Sequence, residues 1–449
     1  MQVVVLGAGI IGTSTAWHLL ERGHDVTLVD RQPDAALETS FANAAQISVS
    51  YCEPWANREA PWKALKWMFD REAPLLFRPQ ADWVQWRWGL QFLAQCHDAA
   101  FERNVAQLVA LGAYSHETLK AMVAQTGIEY QRSQRGIAHY YTDAASFDGA
   151  AAAAELMRRH GVRRRVVDRA ELLRIEPALA PFADRLVGGT YTETDEHGDA
   201  RVFTQRLAAL CGQRGARLLF GHHIERLEVD GGALRRVQLR DAATGLPRTL
   251  EADAFVVACG SYTAPLLRTV GVRVPIYPGK GYSATLRLRR PDAAPQVSMI
   301  DDGRKIAISR LGDRLRVAGT IELGGFDLRL DTPVARARCE MLVRRIEQVF
   351  PGVADTRLPA DGGDPQFWCG LRPATPTNIP LIGRTPIERL WINAGHGTLG
   401  WTHGAGSGRA LAELIGGERP ALAMRFAGEP ADVLRQPPGS RRPHAPSHA

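Results

Sequence analysis

Residues 1–30 read MQVVVLGAGIIGTSTAWHLLERGHDVTLVD, and this stretch decides the fold. An apolar run at residues 3–6 predicts a buried strand, followed by a glycine turn, a helix and a second strand at 26–29. Gly7 permits the tight turn, Gly9 lets a pyrophosphate approach the backbone, and Gly12 lets the helix pack closely on the sheet. The helix directs its free N–H groups and positive dipole end at the phosphates. The stretch therefore predicts a dinucleotide-binding βαβ unit and argues against an ordinary βαβ unit with a glycine turn.

Asp30 stands at the end of the second predicted strand. A carboxylate at this position accepts hydrogen bonds from both ribose hydroxyls of an adenosine, which argues against a 2′-phosphate and hence against NADP. The first thirty residues leave NAD and FAD both open.

The chain has 449 residues, which predicts two domains rather than one. A hydrophobic content of 45% and a charged content of 23% are typical of globular proteins. The 55 basic and 48 acidic residues are spread along the chain without a nucleic-acid-binding motif. We therefore expect an anionic cofactor or substrate, some attraction to an anionic membrane surface, and no nucleic-acid partner.

The sequence also predicts a cellular compartment. The first predicted strand begins at residue 2, which leaves no room for a signal peptide, and no apolar run approaches the roughly 18 residues that span a bilayer. The six cysteines lie far apart and lack metal-ligand spacing, so they read as reduced thiols and no metal site is predicted. We expect a cytoplasmic protein whose membrane contact, if any, is peripheral on the inner face.

Residues 51–125 are predicted to be mainly helical and are rich in tryptophan: Trp55, Trp62, Trp67, Trp83, Trp86 and Trp88. The favoured interpretation is that these indoles pack a helical subdomain. The alternative is an interfacial patch on lipid headgroups, formed with Phe69, Phe77, Lys63, Lys66 and Arg71. The sequence alone does not separate the two interpretations.

Three separated stretches look able to meet on one dinucleotide. They are the N-terminal βαβ unit, a buried strand ending in a Gly-Ser turn at 252–261, and a strand, turn and helix at 390–414. A cofactor domain assembled from the start, middle and end of a chain differs from most NAD dehydrogenases. Beyond residue 426 the chain is rich in Pro, Arg and His and is predicted to be a disordered tail.

Several motifs resemble those of the D-amino acid dehydrogenases, a flavoprotein group similar to glycine oxidase and the D-amino acid oxidases. They are GAGIIG with VD at 29–30, ETSFANAAQIS at 38–48, KGYS at 280–283, GLRP at 370–373 and NAGHGTLGWT at 393–402. The resemblance runs from residue 1 to about 425. It implies an α/β fold with an FAD-binding Rossmann-like domain on a mixed sheet and an α+β substrate domain on an antiparallel sheet. The FAD-binding domain is expected at 1–50, 190–275 and 376–425, and the substrate domain at 51–189 and 276–375.

The resemblance also implies an activity. It implies FAD as the cofactor and oxidative deamination of D-amino acids such as D-alanine to 2-oxo acids and ammonia. Electrons are expected to pass to a respiratory acceptor such as quinone. The alternatives are an oxidase that uses oxygen, a dehydrogenase of secondary amines such as D-hydroxyproline, and a non-catalytic flavin-binding subunit.

The candidate catalytic residues are Arg372, Tyr282 and His396. Arg372 matches the arginine that binds the substrate carboxylate in similar enzymes, and guanidinium geometry suits a two-pronged ion pair; the alternative is a structural salt bridge. The hydroxyl of Tyr282 is able to reach the carboxylate or the amine, unless the ring only packs. His396 is a candidate acid or base, although its glycine turn favours a structural or flavin-contact role.

The cofactor-binding residues are expected in the glycine turns, the loop after the second strand and the C-terminal turn. Backbone N–H groups at the start of the last helix stabilise the negative charge that develops on a reduced flavin. The full set is Val3, Val4, Val5, Leu6, Gly7, Ala8, Gly9, Ile10, Ile11, Gly12, Asp30, Arg31, Ser40, Asn43, Ala44, Ala45, Gln46, Ile47, Gly260, Gly395, Gly397, Thr398, Leu399 and Gly400.

Ala45 departs from the family pattern, which usually has glycine at this position of the flavin loop. A Cβ atom disfavours positive φ, so the loop is expected to sit slightly differently over the flavin. FAD binding is expected to survive, whereas substrate range and acceptor access are not carried over from the family.

Overall fold

The computed structural model describes residues 1–67 and 73–429. Its strands in chain order are β1 (Gln2–Leu6), β2 (Asp25–Val29), β3 (Gln46–Ile47), β4 (Leu75–Phe77), β5 (Ile137–Tyr141), β6 (Arg165–Asp168), β7 (Gly188–Thr192), β8 (Glu196–His197), β9 (Arg217–Leu219), β10 (His222–Asp230), β11 (Ala233–Asp241), β12 (Pro247–Glu251), β13 (Ala254–Val257), β14 (Tyr277–Arg287), β15 (Ser298–Asp301), β16 (Ile306–Leu311), β17 (Arg314–Leu323), β18 (Gln366–Ala374), β19 (Leu381–Arg384) and β20 (Leu390–Ala394). Its helices are α1 (Ile10–Glu21), α2 (Ala60–Trp67), α3 (Trp83–Leu93), α4 (Asp98–Thr126), α5 (Ala144–Asp148), α6 (Ala150–Arg159), α7 (Arg169–Ile175), α8 (Ala200–Gln213), α9 (Thr263–Arg268), α10 (Pro333–Val349) and α11 (Gly400–Ile415).

The first sheet has the strand order β19-β20-β13-β1-β2-β9. β19 runs antiparallel to β20, and the other neighbouring pairs are parallel. Val3 and Val5 pack with α1, α8 and α11 on one face, whereas Val4 and Leu6 pack with the β10–β12 sheet on the other. Because both faces are buried, the parallel strands read as continuous apolar runs. This is the mixed sheet that the sequence predicts.

The second sheet has the strand order β18-β14-β17-β16-β15-β5-β7-β6, and β4 also pairs with β17. Most of its pairs are antiparallel; β15 with β5 and β17 with β4 are the parallel ones. Its core lies between the sheet and α10, where Leu342 and Ile346 contact the buried side chains of β14 and β17. The two sheets together confirm the predicted fold class.

The helix α4 differs from the predicted division of the chain. It lies in the stretch that is predicted to be mainly helical, but its residues Leu111, Leu119 and Met122 are buried in the same core as Trp17 of α1 and Leu411 of α11. By its packing α4 therefore belongs with the first sheet, although residues 51–189 were assigned to the substrate domain. The predicted boundary at 189 is also crossed by β7, which runs to Thr192 in the second sheet.

Residues 426–429, the first of the predicted C-terminal tail, are ordered. Phe426 is 2% exposed in the core of the first sheet, and the backbone N–H of Ala427 donates to the carbonyl of Ile382 (2.7 Å). Burial of the aromatic ring orders residues 426–429, so the prediction of disorder is wrong there. The rest of that prediction, residues 430–449, lies outside the described residues.

The tryptophans divide between the two interpretations of residues 51–125. Trp88 is buried and Trp55 is half-buried, as a packed subdomain requires. Trp62, Trp83 and Trp86 are exposed instead. Phe69 and Arg71 lie outside the described residues, as does the side chain of Trp67. Within the described ranges, no helix combines the length and the hydropathy needed to cross a bilayer.

The helices α1 and α11 pack almost backbone to backbone. A Cβ on Gly408 would lie 2.7 Å from the backbone of Ser14 and Thr15, and one on Gly404 would lie 2.8 Å from Ile10. The amide of Asn393 on β20 ties the two helices together, since it donates to Thr15 Oγ1 (3.1 Å) and to the carbonyl of Ser407 (3.2 Å). The start and the end of the chain thus share one core.

The substitution Gly408→Ala tests this contact. Because the new methyl group would meet main-chain atoms that cannot rotate away, we expect the free energy of unfolding to fall by about 1–3 kcal/mol. Gly89→Ala in α3 is the matched control, since nothing lies within 4 Å of a Cβ there; helix propensity predicts a gain of up to about 1 kcal/mol. Urea unfolding followed by circular dichroism measures both. Equal effects of the two substitutions would contradict the close packing of α1 on α11.

Candidate active site

A cavity of about 1420 Å³ lies between the two sheets. Residues at the carboxyl ends of β1, β2, β13 and β20 line one side, and the second sheet lines the other. The carboxyl ends of parallel strands are where open α/β sheets bind their ligands. Its volume exceeds the roughly 300–1,000 Å³ of an ordinary small-ligand cleft, which suits a dinucleotide together with a substrate.

Most of the predicted site residues line this cavity: Gly7, Gly9, Ile10, Ile11, Asp30, Arg31, Ser40, Asn43, Ala44, Ala45, Gln46, Gly260, Tyr282, Arg372, His396, Gly397, Thr398, Leu399 and Gly400. The other predicted site residues do not line the cavity: Val3, Val4, Val5, Leu6, Ala8, Gly12, Ile47 and Gly395. The strand residues and Ile47 are there because their side chains fill the hydrophobic cores. These residues shape the site without facing a ligand.

The glycine turn after β1 has the geometry that its sequence requires. Gly7 has a φ of +106°, in the region that favours glycine. A Cβ on Gly12 would lie 1.8 Å from the carbonyl oxygen of Gly7, so this glycine allows α1 to approach the turn. Gly9, the residue before α1, has no side chain to cap the helix, and the first N–H group of α1, that of Ile10, donates to Ser40 Oγ (3.1 Å). The positive end of α1 borders the cavity beside this hydroxyl, which fits a phosphate group.

Asp30 lies at the carboxyl end of β2 and is tied to the glycine turn. Its Oδ2 accepts a hydrogen bond from the backbone N–H of Ala8 (2.7 Å), and its Oδ1 accepts one from Gln32 (2.9 Å). Burial raises the pKa of Asp30, and these two N–H groups oppose the shift. Each carboxylate oxygen keeps a lone pair for a ribose hydroxyl.

The loop between β2 and β3 places Ala45 in the strained conformation that glycine would adopt freely. Ala45 has a φ of +64°, and its side chain is fully buried. Its backbone N–H donates to Asn43 Oδ1 (2.9 Å), and its carbonyl accepts from Gly198 (2.8 Å). These contacts hold the loop in a glycine-like conformation despite the Cβ atom.

The turn at 395–400 brings His396 and the start of α11 to the cavity. No side chain caps α11, although the N–H of Gly397 is occupied by the carbonyl of Pro373 (2.9 Å). Both ring nitrogens of His396 are buried and find no partner among the described residues. Burial lowers the pKa of His396 well below its ordinary value, so the ring is neutral. Two unpaired ring nitrogens beside an uncapped helix start fit a polar group of a bound cofactor.

Arg372 is a half-buried cation whose side chain lines the cavity. Its Nη1 donates to the carbonyl of Thr320 (2.7 Å), and it forms no ion pair with any residue that the structure describes. Burial alone lowers its pKa to about 10. Gly281 on the neighbouring strand makes room for the guanidinium, since a Cβ there would lie 2.1 Å from Nη1. The geometry therefore argues against the structural salt bridge and leaves the remaining donors for an anionic ligand.

Tyr282 differs from its predicted role. Its hydroxyl donates to Glu322 Oε2 (2.5 Å), and Glu322 in turn pairs with Arg78 (2.9 Å) outside the cavity lining. Burial and this hydrogen bond raise the pKa of Tyr282. The ring thus borders the cavity while its proton is already engaged. Lys280 does not line the cavity, because its Nζ donates to the carbonyl of Arg329 (2.6 Å).

A cluster of polar side chains lines the cavity on the side of the second sheet, and the sequence analysis did not predict it. Tyr51, Glu53, Asp302 and Lys305 line it there; Asp302 accepts from Lys305 (3.0 Å), and Glu53 pairs with Arg164 (3.1 Å). These residues come from distant segments, so no motif joins them. The Asp-Asp-Gly sequence at 301–303 is the one local signal, since it marks a turn, and Asp302 also lies 3.6 Å from His139 of β5.

Comparisons with known proteins agree with this architecture. Residues 2–414 match the family described as FAD dependent oxidoreductase. A D-amino acid dehydrogenase of Dechloromonas aromatica (strain RCB) is 49% identical over 95% of this chain and 99% of the relative. One of Paramagnetospirillum magneticum is 45% identical over 95% of this chain and 98% of the relative. The chain belongs to the family of FAD-dependent oxidoreductases. Its cofactor is FAD, as the resemblance to the family implies.

The fold comparison gives the same architecture. Glycine oxidase from Geobacillus kaustophilus superposes with a TM-score of 0.70 at 21% identity, covering 94% of this chain and 95% of that one. L-proline dehydrogenase from P. horikoshii superposes with a TM-score of 0.68 at 17% identity, covering 94% of each chain. At these identities the likeness shows the fold.

The substitution Ala45→Gly tests the strain in the flavin loop. Relief of about 1–2 kcal/mol from the positive φ offsets the lost methyl burial and the greater entropy of the unfolded chain. We therefore expect bound FAD and a free energy of unfolding within about 0.5 kcal/mol of the parent protein.

Ala44→Gly is the matched control. Its φ is not positive, so no strain is relieved and a loss of about 1 kcal/mol is expected. Urea unfolding with saturating FAD measures both variants. An equal loss in the two would show that Ala45 is unstrained.

Proposed function

We propose that this protein catalyses the FAD-dependent oxidative deamination of D-amino acids, such as D-alanine, to 2-oxo acids and ammonia. The names of its relatives support this substrate class. The observation that carries the proposal is Arg372, a half-buried cation at the cavity whose charge no described residue neutralises. An α-carboxylate supplies that missing charge.

The proposed reaction removes a hydride from the substrate Cα and leaves an imine, which water hydrolyses. FAD, when bound, supplies the acceptor for this hydride. Arg372 holds the carboxylate through its fork of N–H donors and so orients Cα. The uncapped start of α11 stabilises negative charge that develops beside it.

We assign His396 a cofactor-contact role in this scheme. Its neutral ring offers one N–H donor and one acceptor to the cavity. Glu322 keeps the proton of Tyr282 engaged, so we assign Tyr282 the role of shaping the cavity beside Arg372. Positioning and exclusion of water then make up most of the chain's contribution to catalysis.

We also propose that the electrons pass to a respiratory quinone and that the protein works at the inner face of the cell membrane. Apolar side chains at the cavity mouth, Trp86, Leu90, Phe92 and Leu93, support an apolar acceptor. Such a ring system binds against aromatic and aliphatic walls.

Arg372→Ala tests the carboxylate contact. Truncating one partner of a buried charge pair costs roughly 2–5 kcal/mol, so kcat/KM for D-alanine should fall by a factor of about 30 to several thousand, mainly through KM. The visible spectrum should still show bound FAD. Arg357→Ala is the control, because its ion pair with Asp355 is exposed, and its kinetics should match those of the parent protein. Unchanged kinetics for Arg372→Ala would remove Arg372 from the site.

Anaerobic reduction separates the proposed reaction from its alternatives. D-alanine should bleach the flavin absorbance, and a water-soluble quinone should restore it faster than oxygen does. Rapid reoxidation by oxygen alone would indicate an oxidase. Bleaching by D-hydroxyproline but not by D-alanine would indicate a secondary-amine dehydrogenase, and no bleaching with either would leave a non-catalytic subunit.

A further inference from the structure

The helix α3 carries an exposed apolar stripe along one face. Trp83 is 71% exposed, Trp86 46%, Leu90 62% and Leu93 52%. Their spacing of three, four and three residues places them on one side of a helix. Large apolar side chains exposed singly are ordinary, but a contiguous stripe of this kind marks an interaction surface.

The opposite face of α3 is firmly anchored. Trp88 Nε1 donates to the carbonyl of Ala374 (2.9 Å), and the buried amide of Gln85 donates to the carbonyls of Arg78 (2.9 Å) and Leu323 (3.1 Å). Asp82 caps the helix by accepting from Val84 (2.9 Å). The exposed stripe is therefore held in place by the fold of the second sheet.

The helix α2 carries an exposed indole and cations, and it lines the same cavity as α3. Trp62 is 74% exposed, and its neighbour Lys63 lines the same cavity mouth as Trp86, Leu90 and Leu93. Between residues 58 and 93 the sequence has six cations, Arg58, Lys63, Lys66, Arg71, Arg78 and Arg87, against four carboxylates, Glu59, Asp70, Glu72 and Asp82. Lys66 and Arg87 are exposed and form no ion pair with a residue that the structure describes. The residues of this docking face are Trp62, Trp83, Trp86, Arg87, Leu90 and Leu93.

We propose that the docking face rests on the surface of an anionic lipid bilayer, with its indoles at the headgroup level. Indoles prefer this interface, and Lys and Arg beside them attract anionic lipid. The excess of cations complements a negative surface, and it disfavours a second copy of the same cationic face. The stripe continues into the cavity lining, so an apolar acceptor leaving the bilayer enters the cavity without crossing water. This inference rests on the proposed transfer of electrons to a quinone.

Co-sedimentation with vesicles tests the proposal without substrate. The parent protein should bind vesicles of phosphatidylglycerol and phosphatidylcholine and bind phosphatidylcholine vesicles weakly. The double variant Trp62→Ser/Trp83→Ser, neither of whose residues lines the cavity, should lose roughly ten-fold or more in partition coefficient. Leu246→Ser, at an exposed position on the β11–β12 turn, is the control and should bind as the parent does.

A second pair of variants tests whether the positive charge of the docking face contributes to vesicle binding. Arg87→Gln should weaken binding to anionic vesicles about five-fold, whereas Arg174→Gln, exposed on α7, should not. Parental vesicle binding by the double variant, or an equal loss in Leu246→Ser, would overturn the proposal. A dimer in sedimentation equilibrium that the double variant abolishes, without vesicle binding by the parent, would assign the face to a second copy.

Activity assays separate this inference from the proposed function. With a soluble dye as acceptor, the double variant should turn over D-alanine at the parental rate. With quinone dissolved in vesicles, its rate should fall in step with its vesicle binding. If the parent protein does not turn over D-alanine with the dye, the proposed function alone is refuted. If parent and variant have equal rates with quinone in vesicles, the docking face alone is refuted.

Discussion

The close packing of α1 on α11 is the constraint on which the rest of the structure depends. Gly404 and Gly408 leave room for α1, and Asn393 bonds to both helices. Because both helices follow strands of the same parallel array, their N-termini open on the same edge of the first sheet. The two ends of the chain therefore build one binding site.

The unpaired cation of the site and the positive ends of its helices determine which ligands it accepts. At one end the N-terminus of α1 and Asp30 suit the phosphates and ribose of an adenosine, and at the other Arg372 has no counter-ion among the described residues. A buried cation is costly until an anion joins it. The cavity is consequently arranged for ligands that carry negative charge at both ends of its length, and its mouth is apolar.

Several elements followed from local sequence patterns because local rules govern them. The turn Gly7–Gly12, the helix α4 and the strand β13 depend on periodicity and glycine placement, which neighbouring residues set. The partner of Tyr282 could not be predicted in this way, since Glu322 reaches it from a different strand through the register of β14 on β17. The packing side of α4 also depends on residues far along the chain. The same holds for the exposure of Trp62 and Trp83, which depends on what covers a helix rather than on its periodicity.

By itself the sequence determined the βαβ unit and the candidates Arg372 and His396, because each rests on a motif whose residues lie close together in the chain. The mixed sheet was implied by the resemblance to a family. Only the tertiary structure decided that Arg372 has no counter-ion in the described part of the chain and that the proton of Tyr282 is engaged. It also showed that Ala45 keeps a positive φ and that the tryptophans divide into buried and exposed sets. The physical reason is that charge pairing, strain and exposure are properties of surroundings, and the surroundings of these residues are built from segments hundreds of positions apart.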